Sequence, residues 1–107
     1  MEDLEKEWGR LIVRLEKQFD SEINLKGVLY LIGVQELNFG SYKFDRNEKL
    51  NVLHVAVCKI LVPFGYYIFS GVDEDGWPHY KELRVLKNLS EERQEALIKQ
   101  AIIKYLS

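Results

Sequence analysis

Seven residues of this chain have side chains that could do chemistry: His54, Cys58, Asp73, Asp75, Trp77, His79 and Tyr80. His54 and Cys58 are four apart in a stretch that reads as helix, so their side chains leave adjacent turns of one face. Asn47 and Asn51 share that stripe. The other five fall inside Asp73-Glu74-Asp75-Gly76-Trp77-Pro78-His79-Tyr80, where apolar flanks and a turn glycine imply a surface turn. His54 and Cys58 could supply two zinc ligands, with His79 and Asp73 or Asp75 completing a tetrahedron. Structural zinc sites usually pair cysteines or histidines at both ends of the site, and Cys58 is the only cysteine. The plainer alternative is a boundary histidine and a half-buried thiol that packs as a small hydrophobe.

Other chemistries are matched in part. If Gly76 is the sixth residue of a twelve-residue calcium loop, Asp73 and Asp75 fall at ligand positions and Glu82 at the bidentate last position. The first position is then Gly71, which has no ligand, so a tight acidic turn is the better reading. A Cys58 nucleophile with His54 or His79 as base is conceivable, but the chain shows no nucleophile elbow, phosphate loop or dinucleotide fingerprint. Glu36 is a carboxylate on an otherwise apolar helix, solvated if it lies in the last turns. Trp77, Tyr80, Tyr66 and Tyr67 gather around the turn. They either contact a partner, as Trp and Tyr do at binding hot spots, or close a small core. Trp77 is expected to fold back on Tyr67 or Phe69, with the acids of the turn facing water.

These residues must be positioned by a few elements. An amphipathic helix is predicted over about Asp3 to Phe19, because Leu4, Trp8, Leu11, Leu15 and Phe19 recur at three and four residues. Glu2, Asp3 and Glu5 favour its positive end. A second helix is predicted over about Asn24 to Asn38, although a buried strand would also suit the run Val28 to Val34. Gly27 and Gly33 would let a neighbour approach closely. The third helix starts at an acid-x-x-Glu capping box, Asp45 and Glu48, and ends near Leu61 before Pro63 and Gly65. Leu50, Leu53, Val57, Ile60 and Leu61 form its main apolar face. Val52 and Val55 lie opposite and require cover from this chain or from a second subunit. Residues 66–83 read as a hairpin turning at Asp75-Gly76, with a short helix from Pro78 as the alternative. The last helix starts at the cap Ser90 and buries Leu97, Ile98, Ala101, Ile102 and Tyr105.

The bulk numbers narrow the class. A chain of 107 residues fits one domain, residues 1–107, and can bury a core without disulfides. A net charge of −2 with scattered lysines argues against nucleic-acid binding. The acidic start, Met1-Glu2-Asp3-Leu4-Glu5, is unlike a signal peptide, and the apolar run Val28 to Val34 is too short to span a bilayer. One thiol fits a reducing compartment. A cytoplasmic protein with no membrane partner is expected.

Three stretches together, Leu29–Leu37, Leu53–Cys58 leading to Gly65-Tyr66-Tyr67, and Asp73–His79, resemble an uncharacterised family of small bacterial proteins. The resemblance covers most of the chain after the first helix. It implies a bacterial cytoplasmic protein and carries no functional residue over. The expected fold is mainly α: about four helices in a compact bundle, with a small hairpin or extended segment at about 66–83 before the last. The expected role is protein contact without catalysis, as a homodimer or with another protein, and without a cofactor. A metal- or thiol-dependent activity centred on His54, Cys58, His79 and the Asp73/Asp75 turn is the alternative.

Overall fold

The third helix sits at the centre, touched by nearly every other element. The computed structural model describes residues 2–107, without the side chain of Glu2, so that residue's expected contribution at the helix dipole lies outside the description. Four helices, α1 (Glu2–Phe19), α2 (Leu25–Leu37), α3 (Arg46–Leu61) and α4 (Glu91–Leu106), carry between α3 and α4 a hairpin of β1 (Tyr67–Val72) and β2 (Pro78–Glu82). α3 packs on α2, α4 and both strands, and α4 packs in turn on α1. The strands are antiparallel, with Tyr67 opposite Glu82, Phe69 opposite Tyr80 and Val72 opposite Pro78. Pro78 is the first residue of its strand, where a missing N–H costs the ladder least, so the hairpin forms rather than a helix. This is the mainly helical bundle with a hairpin that the sequence predicts.

Local chemistry sets the boundaries. Asn24 caps α2 by accepting from the Gly27 N–H at 2.8 Å. Asp45 accepts from the Glu48 N–H at 2.8 Å, and the Glu48 carboxylate accepts from the Asp45 N–H at 2.9 Å, so the box at the start of α3 is complete. Ser90 accepts from the Arg93 N–H to open α4. Each bond satisfies an N–H that the helix itself leaves without a partner.

Two clusters of buried side chains follow from this arrangement. The larger is mostly aliphatic: Trp8, Leu11 and Leu15 of α1, Val28, Leu29 and Ile32 of α2, Ala56, Cys58, Ile60 and Leu61 of α3, and Ala101 and Ile102 of α4, closed by Tyr66 and Tyr67. The smaller has Leu37, Val52 and Val55 at its centre, wrapped by Tyr30, Val34, Phe39, Phe44 and Trp77. Val52 and Val55 are thus covered by their own chain, which removes the original reason for a second subunit.

Gly33 lets α2 settle directly on α3. A Cβ at that position would stand 2.3 Å from the Val52 carbonyl oxygen and 2.6 Å from its Cγ1. Two expected core residues are outside. Phe19 is 47% exposed, because it is the last residue of α1 and the chain turns away at Asp20. Leu50 is 59% exposed, on the side of α3 that faces away from Val52. Among the described residues no helix is long and apolar enough to cross a membrane.

Candidate functional site: a cleft between α3 and the hairpin turn

The hairpin turn is fixed by one carboxylate. Asp73 accepts at Oδ1 from the backbone N–H groups of Asp75, at 2.9 Å, and Trp77, at 3.0 Å. His79 Nε2–H donates to its other oxygen at 2.8 Å. The backbone closes the loop with Gly76 N–H on the Asp73 carbonyl and Asp73 N–H on that of Trp77. Gly76 takes φ +88°, which glycine adopts without steric cost. These hydrogen bonds, the one from His79 first, hold the Asp73 carboxyl below its ordinary pKa. Asp73, Glu74 and Asp75 are all exposed.

The turn leans against the first half of α3 and leaves a cleft of about 360 Å3 between them. Six of the seven candidate residues line it: His54 from α3, and Asp73, Asp75, Trp77, His79 and Tyr80 from the hairpin. Glu48, Asn51 and Val55 complete the helical wall, since residues three and four apart lie along one face of a helix. Of the sequence stripe Asn47, Asn51, His54 and Cys58, only Asn51 and His54 lie on this wall.

Cys58 is the exception and corrects the sequence reading. It is fully buried, not half-buried at a border, because α3 lies between α4 and the hairpin and the next turn after His54 already belongs to the core. Burial first, and then the charge of Glu82, push its thiol up to about 11. Its sulfur lies 3.4 Å from His54 Nε2, within hydrogen-bond reach. A thiol held protonated and sealed from solvent is neither a nucleophile nor a ready ligand. Among the described residues no group of three or more His, Cys, Asp or Glu side chains is placed to hold a metal ion. The calcium-loop spacing fails on geometry, since Glu82 lies opposite Tyr67 at the far end of the hairpin from Asp73. About five residues of strand rise separate them, roughly 17 Å.

Trp77 does not fold back on Tyr67 or Phe69. Its indole meets Phe39 edge-on with centroids 5.6 Å apart, and Phe44 at 5.8 Å. These rings belong to the α2–α3 connection, Phe39-Gly40-Ser41-Tyr42-Lys43-Phe44, which lies outside every predicted helix and strand. Its signal was an aromatic at every second or third position. Phe69 instead pairs with Tyr80, opposite it in the sheet, at 5.7 Å.

Beside the cleft, across Trp77, lies a second recess of about 560 Å3 lined by Phe39, Tyr42, Trp77, Glu48 and Asp75. The Tyr42 hydroxyl donates to Glu48 Oε2 at 2.6 Å. This bond leads the effects that raise the Tyr42 pKa, followed by desolvation and the charges of Glu48, Asp45 and Asp75.

Glu36 is not a solvated helix-end carboxylate either. It accepts from the Tyr105 hydroxyl and lies 3.7 Å from Lys59 Nζ, joining α2, α3 and α4. Burial and this bond raise the Tyr105 pKa. Comparison of the chain with protein-family models, curated proteins and solved structures returned no match, so the resemblance to a small bacterial family gains no support and the site stands on its geometry alone.

Proposed function

We propose that this chain is a non-catalytic domain that works through protein contacts, and that two copies associate through the hairpin. One observation carries the reading: the hairpin and the segment after it leave Ile68, Phe69, Val72, Leu83 and Val85 exposed, each by between 46 and 62%. They surround a sheet of only two strands, so each strand has one edge without a backbone partner. Unpaired edges and grouped apolar side chains are the features through which sheets recruit further strands. Edge-to-edge pairing of two hairpins would give a four-stranded sheet in which the exposed apolar side chains of one copy pack beside those of the other.

Sedimentation at micromolar concentration tests this directly. A dimer is expected for the parent, and Ile68→Lys with Phe69→Lys should return a monomer of unchanged helical circular dichroism. A parent that stays monomeric overturns the self-association, and substitutions that leave the dimer intact move the interface elsewhere.

The catalytic alternative retains one favourable observation, the gathering of His54, Asp73 and His79 around one cleft. It lacks the thiol, because Cys58 is fully buried.

A further inference from the structure

The recess across Trp77 has a composition that neither strand pairing nor core closure requires. Three of its walls are rings. Phe39 stands edge-on to Tyr42, with centroids 5.9 Å apart and planes at 75°, and edge-on to Trp77 at 5.6 Å and 86°. The remaining lining residues are the acids Glu48 and Asp75. The carboxylates favour a cation over an anion, and an aromatic ring adds to that preference wherever a cation reaches its negative face.

No cation of this chain answers that potential. Among the described residues none stands within ion-pair distance of Glu48 or Asp75; the paired acids are Glu36, Asp73, Glu5 and Glu95. The cation–π contacts also lie elsewhere, with Arg84 over Tyr66 and Lys99 over Trp8. Most of the lining is preorganised as well. Both Glu48 oxygens are engaged, one by the Asp45 N–H and one by the Tyr42 hydroxyl, and Phe39 rests 3.4 Å from where a Cβ on Gly76 would lie. Fixing these groups before binding removes much of the ordering cost that weakens flexible sites.

We propose that this recess receives the ammonium end of a lysine side chain, methylated or not, presented by a partner protein. A protein source is favoured over a free small cation because the site is open: Tyr42 is 51% exposed, whereas small-molecule sites enclose most of their ligand. The source of the lysine rests on the protein-contact reading. The preference of the recess for a cation does not, and it concerns a surface separate from the hairpin residues proposed to pair.

The test is a titration of the isotope-labelled chain, followed by nuclear magnetic resonance at fixed ionic strength. The probes are three short glycine-flanked peptides in which the central lysine is unmodified, trimethylated or acetylated. The expected result is a saturable shift of the Trp77 indole N–H and the Tyr42 amide with both charged peptides, roughly tenfold weaker with the neutral acetylated one. Asp75→Asn should weaken the charged peptides several-fold and leave the acetylated one unchanged. Asp75 enters the turn through its backbone N–H, so this variant keeps the fold. Equal response to all three peptides, no response to any, or shifts confined to residues 67–72 would overturn the proposal. None of these outcomes depends on whether the chain dimerises.

Discussion

The two buried clusters are built differently, and the difference divides stability from recognition. The larger one draws aliphatic side chains from all four helices, and Leu61 and Ile102 have no exposed surface. Its buried contacts are dense, and the recesses at its margin, beside Leu15, Val28 and Ile32 and beside Ile60 and Ala101, hold no Asp or Glu side chain. The smaller one has three buried aliphatic residues wrapped by Val34 and four aromatic side chains, and Trp77 of the hairpin turn meets Phe39 and Phe44 of the α2–α3 connection edge-on. Edge-on rings leave gaps that aliphatic chains would fill, and both the cleft and the recess open beside them. The same helix serves both: the second half of α3 closes the main core, and its first half forms the wall of the cleft.

This contrast is broken most severely by a deletion in the main core. Ile102→Ala should cost about 4 kcal/mol by chemical denaturation, since a fully buried aliphatic chain leaves a cavity its neighbours cannot fill. Trp77→Ala, in the smaller cluster, should cost about 2 kcal/mol, because the ring is only partly covered. Equal losses would mean that the aromatic cluster is as tightly packed as the core and that the division is wrong.

The boundary between the regions is sharpened by Cys58. Its folded pKa is raised from 9.0 to about 11, so the folded state holds a proton that the unfolded chain releases. The stabilisation is therefore fully present below pH 9 and is lost as pH rises toward about 11, by on the order of 2 kcal/mol. A Cys58→Ala variant should lack that part of the alkaline slope. In the parent, thiol reagents should react only after unfolding. Rapid labelling of the native protein would return Cys58 to the cleft.

The smallest expected effect is at the turn. Asp73→Asn keeps an oxygen for the N–H groups of Asp75 and Trp77 but removes the charge that faces His79. The Asp73 pKa is depressed in the folded state, so its contribution is present above the ordinary value of 3.8 and is lost as pH falls through the folded value. The parent should be the more stable of the two near neutrality, and the gap should close in acid. A gap that does not depend on pH would show that the carboxylate acts only as a turn acceptor.

Much of this was legible wherever signals are local. The capping box Asp45–Glu48, the cap Ser90 and the turn at Gly76 are chemistry between near neighbours in sequence, and each is where its residues imply. The gathering of His54 with the 73–80 turn was visible as two groups of reactive residue types, without the contact between them. What failed depends on the third dimension. Periodicity marks the apolar sides of a helix but not what covers them, so Leu50 reads as core and Cys58 as border. The partner of Trp77 is a connection 33 residues upstream at Phe44, beyond the reach of any local pattern.

The glycine at position 33 has a further consequence, in time rather than energy. With its backbone seated against Val52, α2 cannot slide or tilt on α3 without first separating from it. The pair must open as one unit, and amide hydrogens such as those of Ile32 and Ala56 should exchange with solvent only when the whole domain unfolds. The hairpin has no such glycine seat, and each of its strands has a backbone partner on one side only. Its amides should exchange orders of magnitude sooner, which leaves the proposed pairing surface free to rearrange around a second copy while the helices beneath it keep their shape.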